Sequence, residues 1–106
     1  MNTSNTSFRR LGGSKGLPDN YVVSYYLEDM KRRVAVARAG GKLYAFDDLY
    51  LNAPLSAGLL SDTTIMSQCD GSRFDLTTGA VLRGPATVSL VTYAVRESDG
   101  HIEVQL

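Results

Sequence analysis

Cys69 and His101 are the only cysteine and the only histidine of the chain, and they are the side chains best suited to binding a metal. A structural zinc ion takes four Cys or His ligands, and an iron–sulfur cluster is likewise held by several thiolates or imidazoles. The chain therefore cannot supply either ligand set from its own thiols and imidazoles. We expect Cys69 to be a small buried residue and His101 to lie on the surface.

The composition indicates a small soluble protein of balanced charge. Eleven basic and eleven acidic residues give a formal net charge of zero, which excludes the basic surface of a general nucleic-acid binder. No stretch approaches the ~20 apolar residues of a membrane span, and the N-terminus lacks the apolar core of a signal peptide. One thiol allows no internal disulfide, so we expect a cytoplasmic protein without membrane contact. Residues 1–7 are small and polar and predict a flexible tail, followed by one domain over residues 8–106.

Short apolar runs separated by turn residues recur from Tyr21 onward, at the spacing of about 8 to 12 residues that is typical of an antiparallel sandwich or barrel. The expected strands cover residues 21–27, 33–38, 42–46, 63–66, 72–75, 80–82, 92–97 and 102–105. Gly40-Gly41 predicts a tight hairpin, because paired glycines supply the positive φ angles that such turns require. Ser98-Asp99-Gly100 predicts the turn between the last two strands. Residues 47–60 are expected to form one long connection, which in a compact domain is usually functional or disordered.

Three segments of the chain resemble the Rieske ferredoxin family. They read Leu43-Tyr44-Ala45-Phe46-Asp47-Asp48, then Ala53-Pro54-Leu55-Ser56-Ala57-Gly58-Leu59-Leu60, then Gly71-Ser72-Arg73-Phe74-Asp75-Leu76-Thr77-Thr78-Gly79-Ala80-Val81-Leu82-Arg83-Gly84-Pro85-Ala86. The third is the most specific, since it combines a phenylalanine and an aspartate, a turn glycine and a Gly-Pro-Ala exit in the family's order. The resemblance extends from about Phe8 to the C-terminus and implies an all-β fold, a small antiparallel β-sandwich. It also implies that two loops, centred near residues 50 and 70, meet as the tip that binds a cluster.

The four positions that correspond to the family's cluster ligands all carry other residues. The family binds its cluster through a C-x-H pair in the first loop and a C-x-x-H pair in the second. Here the first pair falls on Tyr50 and Asn52, and the second on Ser67 and Asp70. Cys69 lies one residue before the position of the second histidine and two after that of the cysteine, so it replaces neither.

The replacements are poor donors for the iron of a sulfide cluster. Serine and tyrosine hydroxyls stay protonated near neutral pH, whereas thiolates are soft anionic donors. Asn52 and Asp70 offer hard oxygen atoms, so Asp70 together with Asp47 or Asp48 is an alternative site for calcium or magnesium. Because only one of the four residues is reliably charged, we expect no metal and no cofactor.

Two arrangements of the vacated tip follow from these residue types. In the first, the Tyr50 ring fills the volume of the cluster, and Leu51 and Cys69 help to close it. In the second, the polar side chains of Tyr50, Asn52, Ser67 and Asp70 converge into a binding pocket between the loops.

Arg73 and Arg83 flank the second loop. They are expected to pair with Asp75 or Asp47, or else to meet an anionic ligand. The candidate binding residues are therefore Asn52, Ser67, Leu51, Cys69 and Arg73.

The first function class is a cluster-free accessory or small-molecule-binding protein that does not carry electrons. Small subunits of some NADH-dependent nitrite reductases resemble Rieske domains without their ligands, so the scaffold persists without its cluster. The partner would be a larger oxidoreductase or a biosynthetic enzyme. In this case Leu51, Pro54, Leu55 and Leu59 would form the interface, unless the leucines pack beneath the loops.

The second function class is a cofactor-independent enzyme that isomerises, cyclises or eliminates from a small organic metabolite, as in natural-product biosynthesis. Asp70 would be the general base or would orient the substrate, and Tyr50 would donate a proton or hydrogen bond to a developing oxyanion. Asn52 and Ser67 would position polar atoms of the substrate. His101 lies far from the loops in the family fold, so no serine, histidine and aspartate arrangement supports hydrolysis.

Overall fold

The fold is seen in a computed structural model, which describes residues 7–106. The tail predicted over residues 1–7 lies outside the described residues except for Ser7, which is exposed. The described strands are β1 Arg9–Gly13, β2 Tyr21–Leu27, β3 Arg32–Ala39, β4 Lys42–Asp47, β5 Leu49–Tyr50, β6 Ala53–Pro54, β7 Leu59–Ser61, β8 Thr64–Met66, β9 Arg73–Asp75, β10 Val81–Arg83, β11 Thr92–Tyr93, β12 Val95–Ser98 and β13 His101–Val104. A single-turn 3-10 helix, Leu55–Ala57, follows β6.

The strands form three antiparallel sheets and one short hairpin. One sheet has the order β1-β13-β12, a second has the order β11-β4-β3-β2, and a third has the order β10-β9-β8-β7. Strands β5 and β6 pair only with each other. The predicted all-β, antiparallel class is confirmed. Among the described residues, no helix has the length and apolar character needed to cross a membrane.

The sheet that contains β3 and β4 lies at the centre of the domain and is covered on both faces. Residues 34–37 are fully buried, as expected for a continuous apolar run within a sheet that has no solvent face. On one face Ala35, Ala37 and Phe46 pack against Phe74 and other side chains from the third sheet and the first loop. The opposite face contributes to a second cluster, whose buried members are Leu17, Val36, Ala45, Ile102 and Val104. Burying a side chain the size of Phe46 contributes roughly 1.5 to 3 kcal/mol, so this double packing gives the loops a rigid base.

The glycine hairpin is confirmed. Gly40 and Gly41 have φ angles of +60° and +81°, and Ala39 pairs with Lys42 directly across the turn. These are the two positive φ angles of a type I′ turn, which matches the twist of the flanking strands.

Two sequence predictions are wrong in this part of the fold. Residues 92–97 do not form one strand, because the chain leaves the sheet of β4 after Tyr93 and joins β13 from Val95 onward. The alternation of side chains continues through the break, so the sequence pattern does not show the change of sheet. Residues 47–60 are not an irregular connection either, since they contain β5, β6, the 3-10 helix and the start of β7.

Candidate functional site

The first loop is a two-residue hairpin turn whose tip side chains face solvent. Tyr50 pairs with Ala53, and between them Leu51 and Asn52 have φ angles of +53° and +62°. Asparagine tolerates this left-handed conformation, whereas it costs a leucine about 1 to 2 kcal/mol. Leu51 is nevertheless 61% exposed, so burial does not compensate for the strain. The prediction that Leu51 helps to close the vacated site is therefore wrong.

Asp48 holds the first loop on the central sheet. Its side chain is fully buried, and Oδ1 accepts a hydrogen bond from the Ser56 N–H at 2.7 Å. Oδ2 accepts from the Ser56 hydroxyl at 2.8 Å and from Arg33 Nε at 2.9 Å. The Asp48 carbonyl also accepts a hydrogen bond from the Leu55 N–H. These contacts join both sides of the hairpin to β3, which fixes the direction in which Tyr50 and Leu51 project.

The second loop is a compact turn held by its own hydrogen bonds. The Ser67 hydroxyl accepts from the Cys69 N–H at 3.1 Å, and the Ser67 carbonyl accepts from the Gly71 N–H at 3.0 Å. Asp70 Oδ1 accepts from the Ser72 N–H at 2.9 Å. Ser67 is thus buried as part of the turn, while Cys69 lies at the outside of the turn and is exposed. The predictions that Cys69 is buried and that it helps to fill the tip are wrong.

Tyr50 joins the two loops through its hydroxyl. The phenol donates a hydrogen bond to Asp70 Oδ2 at 2.7 Å and lies 3.3 Å from the Ser72 hydroxyl. Since the phenol proton is committed to Asp70, the Ser72 hydroxyl is the donor in the second contact. The Tyr50 ring packs edge-on against Phe74, with centroids 5.4 Å apart and planes at 73°. This geometry agrees with the first predicted arrangement, in which the Tyr50 ring occupies the tip.

The hydrogen bonds set the ionisation of both partners. For Tyr50, the hydrogen bond from Ser72 favours the phenolate, but the bond to the Asp70 carboxylate and desolvation outweigh it and raise the pKa. The Ser72 backbone N–H is the largest influence on Asp70 and, with the hydrogen bond from the Tyr50 hydroxyl, lowers the pKa of that carboxyl. At neutral pH the tip therefore contains a neutral phenol that donates to an ionised carboxylate.

Ser72 is a central residue of the tip that the ligand pattern did not indicate. It is fully buried, and its hydroxyl accepts a hydrogen bond from the Ala86 N–H at 2.9 Å while it contacts Tyr50. Its own N–H donates to Asp70. The available signal was the Asp70-Gly71-Ser72 spacing, because an aspartate commonly accepts from the backbone N–H two residues later.

A cavity of about 390 Å³ lies beside Tyr50, on the side of the segment that follows Pro85. Its lining includes Leu49, Leu51, Phe74, Val88, Leu90 and Val91. Of the four residues at the ligand positions, Tyr50 alone lines this cavity. Asn52 is exposed on the turn and Ser67 is committed to the second loop. The predicted convergence of four polar side chains is therefore limited to Tyr50 and Asp70.

Arg73 and Arg83 do not make the ion pairs that the sequence predicted. They lie directly opposite each other on β9 and β10, and both are exposed. Within the described chain neither side chain forms a salt bridge, although Arg9, Arg10, Arg33, Arg38 and Arg96 all do. Asp75 instead accepts hydrogen bonds from the backbone N–H and hydroxyl of Thr77.

The alternative hard-metal site is not formed. Asp48 is bound to Arg33 and Ser56, and Asp70 is bound to Tyr50 and Ser72. Over residues 7–106, no group of three or more His, Cys, Asp or Glu side chains is placed to hold a metal ion. His101 is not part of the tip, since it lies on the last hairpin and its Nδ1 contacts the Asp99 carbonyl at 2.9 Å.

The profile of the Rieske-like [2Fe-2S] domain family matches residues 11–105, nearly the whole chain. The chain belongs to the Rieske-like [2Fe-2S] domain family. The 3-phenylpropionate/cinnamic acid dioxygenase ferredoxin subunit of Escherichia coli (strain K12) is 37% identical over 76 residues, which cover 69% of this chain and 72% of that protein. The anthranilate 1,2-dioxygenase ferredoxin subunit of Burkholderia cepacia is 32% identical over 78 residues, which cover 72% of each chain.

Solved structures agree with this assignment. The Sphingomonas yanoikuyae B1 ferredoxin superposes with a TM-score of 0.86 at 29% identity, covering 94% of this chain and 99% of that one. A ferredoxin in a complex with the oxygenase of carbazole 1,9a-dioxygenase superposes with a TM-score of 0.83 at 23% identity, covering 92% of each chain, and shows the shared fold. The predicted Rieske-type β-sandwich is therefore confirmed.

The residues of this tip do not fit the cluster that the family name implies. A Rieske centre needs two thiolates and two imidazoles, and the corresponding positions hold Tyr50, Asn52, Ser67 and Asp70. The Tyr50 hydroxyl is already bonded to Asp70, and the Ser67 hydroxyl accepts from its own loop. The donor set is thus both chemically unsuited to iron and engaged in hydrogen bonds within the protein.

Proposed function

We propose that this chain is a cluster-free accessory protein, which docks on a larger enzyme through its loop tip and does not carry electrons. The observation that carries the proposal is the Tyr50 to Asp70 hydrogen bond of 2.7 Å, made between two positions that hold cluster ligands in the family. The contact joins the two loops directly, as a cluster would through its ligands. The tip thereby keeps a defined shape without a metal centre.

The docking surface is the apolar rim of the cavity beside Tyr50, here called the tip patch. It consists of Leu49, Leu51, Val88 and Val91, which are exposed by 50%, 61%, 77% and 54%. Exposed apolar residues that adjoin one another mark interaction sites more often than scattered ones do. Leu51 stands at the centre of the proposal, because its strained backbone holds an apolar side chain in solvent and such strain clusters at functional sites.

Not all of the leucines expected at the interface contribute to it. Leu51 and Leu59 are exposed, whereas Leu55 is 1% exposed and belongs to the core beneath the first loop. Pro54 is partly buried where β6 pairs with β5. The 3-10 helix turns the Leu55 side chain inward, and Leu59 lines a different groove, so the docking surface is built from Leu49, Leu51 and the residues after Pro85.

The relatives support an oxidoreductase as the partner. They are named as ferredoxin subunits of dioxygenases, and one structural neighbour was solved in a complex with an oxygenase. A domain of this fold that keeps the docking shape but lacks the ligands would bind such an enzyme without delivering electrons to it. A biosynthetic enzyme is the second partner class. The proposed compartment is the reducing cytoplasm, which suits the exposed thiol of Cys69.

The geometry favours docking over acid–base catalysis. The Tyr50 to Asp70 contact would suit an enzyme, but Asp70 does not line the cavity and Asn52 and Ser67 do not either. The raised pKa of Tyr50 also makes its phenol a weaker acid near neutral pH. A substrate in the cavity would meet mostly apolar side chains and one phenol that already donates elsewhere.

The test compares the binding partners of three tagged forms expressed in the native organism: the wild-type chain, Leu51→Asp and Tyr21→Asp. Tyr21 is 62% exposed at the opposite end of the central sheet and serves as the matched control. After cross-linking, quantitative mass spectrometry should show a larger enzyme that is retained by the wild type and Tyr21→Asp. The amount of this enzyme recovered with Leu51→Asp should be at least about tenfold lower, which is the effect of removing one central apolar anchor from an interface. The proposal is wrong if no protein depends on Leu51 while the circular dichroism of the variants is unchanged.

A further inference from the structure

The outer face of the third sheet carries a groove that is separate from the tip. The groove has a volume of about 430 Å³, and its lining includes Leu59, Ser61, Asp62, Thr64, Met66 and Arg73. The strand register explains the set, because Leu59 pairs with Met66 and Met66 with Arg73 across β7, β8 and β9. The neighbouring row, Leu60, Ile65 and Phe74, packs into the core from the other face of the sheet.

Arg83 extends the outer row of Leu59, Met66 and Arg73 by one strand, which brings two cations side by side. Arg83 is the cross-strand partner of Arg73, next to a register shift between Val81 and Arg83 that sets Leu82 and Arg83 together opposite Arg73. Like charges in this position destabilise a sheet unless an anion lies between them.

No such anion is supplied by the described part of the chain. Each of the other six arginines contacts a carboxylate or lies over an aromatic ring, as Arg32 lies over Tyr93 and Arg96 over Phe8. Asp62 also lines the groove, but it forms no salt bridge with either arginine among the described residues, and Asp75 is held by Thr77. Arg73 and Arg83 are therefore the two guanidinium groups whose hydrogen-bonding forks are open to an external ligand.

We propose that this groove binds an organic monocarboxylate, with its carboxylate on Arg73 and Arg83 and its hydrocarbon body against Met66 and Leu59. A guanidinium group matches a carboxylate in a two-pronged geometry. Leu59 is 59% exposed and Met66 is partly buried, so a short alkyl or aryl body would cover apolar surface that water now contacts. Asp62 lies at the opposite end of the groove and repels a second carboxylate. The groove thus selects one acidic group and one apolar body.

The site is independent of the docking proposal, since Arg73 and Met66 do not line the tip cavity. Its test is a titration of the ¹⁵N-labelled chain with hexanoate, followed through the amide chemical shifts. Saturable shifts should centre on Thr64, Met66 and Arg73, with the millimolar affinity expected of a shallow site. Hexan-1-ol, adipate and inorganic phosphate are the comparison ligands, and each should bind at least about threefold more weakly than hexanoate. Hexan-1-ol lacks the carboxylate, adipate carries a second one, and phosphate lacks the apolar body.

Three variants complete the experiment. Arg73→Gln should weaken hexanoate binding by about fivefold or more and Arg83→Gln by a smaller factor, because only Arg73 lines the groove. Lys42→Gln removes the same charge from an exposed position at the start of β4 and should leave the affinity unchanged. Any of three results would overturn the proposal: hexanoate binding that does not saturate, equal binding of hexan-1-ol or phosphate, or shifts that centre on Leu49 and Val91, which line the tip cavity instead.

Discussion

Replacing Asp48 with alanine tests how the first loop is held in place. The side chain is fully buried and accepts three hydrogen bonds, at 2.7 and 2.8 Å from Ser56 and at 2.9 Å from Arg33. Breaking a buried ion pair by removing one partner costs about 3 to 5 kcal/mol. The Arg33 side chain is 37% exposed and can regain water, so we expect Asp48→Ala to lower the free energy of unfolding by roughly 2 to 4 kcal/mol.

Urea denaturation followed by circular dichroism measures this loss, as a lower midpoint at an unchanged slope. Asp47→Ala is the matched control, because the adjacent carboxylate makes no hydrogen bond within the described residues, and it should change stability by no more than about 0.5 kcal/mol. Asp48→Ala should also increase the rate of amide hydrogen exchange at Tyr50 and Leu51, since the hairpin loses its attachment to β3. Equal midpoints for the two variants would refute the role assigned to Asp48.

Three further predictions follow from single residues. Gly79→Ala should lower the free energy of unfolding, measured by urea denaturation, by roughly 2 to 4 kcal/mol, because φ is +84° and the added methyl would overlap the Leu90 carbonyl oxygen. Gly40→Ala is the control and should cost only about 1 kcal/mol, because φ is +60° but no atom lies near the added methyl. Equal costs for the two variants would contradict the steric argument. Leu51→Asn should stabilise the chain by roughly 0.5 to 1 kcal/mol by relieving the left-handed leucine, and should weaken partner binding; a loss of stability would show that the leucine packs usefully. Because the pKa of Asp70 is lowered in the folded state, its contribution to stability is present above its unfolded-state pKa and is lost as the pH falls through the folded value. The Asp70 carboxyl ¹³C signal should therefore titrate below the ordinary aspartate range. A titration midpoint at or above that range would contradict the hydrogen bonds at the tip.

The strands that the sequence predicted well are those whose local and tertiary preferences agree. β2 matches its predicted bounds, and the β3 to β4 hairpin follows from paired glycines between two apolar runs. β1 and β7 were not predicted, since Arg9-Arg10 and the short Leu59–Ser61 segment lack a clear alternation and become strands by pairing with β13 and β8. Strand formation at these positions depends on a distant partner, which a local pattern does not contain.

The site could be located from the sequence, but its geometry could not. The register of the ligand positions indicated Tyr50 and Asp70, and the structure places their side chains in direct contact. The exposure of Leu51 and Cys69 depends on the path of each turn, and leucine is among the residues least expected at positive φ. Ser72 was missed because it lies outside the ligand pattern, and its role comes from the approach of Ala86, fourteen residues later.

The proposed loss of the cluster accounts for several of these features together. Once thiolates and imidazoles are absent, the two loops need another contact, and a phenol bonded to a carboxylate supplies one that is unaffected by redox state. An apolar patch beside that contact would let the tip remain a docking surface. We propose that metal binding, electron transfer and docking are separable properties of this fold and that this chain keeps only the last.

Quantification of iron and acid-labile sulfide in the purified chain tests the central claim most directly. The chain should be produced in cells that overexpress the iron–sulfur assembly machinery, beside a Rieske ferredoxin that is produced and purified in the same way. The account predicts colourless protein with no stoichiometric iron or sulfide, while the control carries about two irons per chain. About two irons and two sulfides per chain, with the visible absorption of a [2Fe-2S] centre, would contradict it.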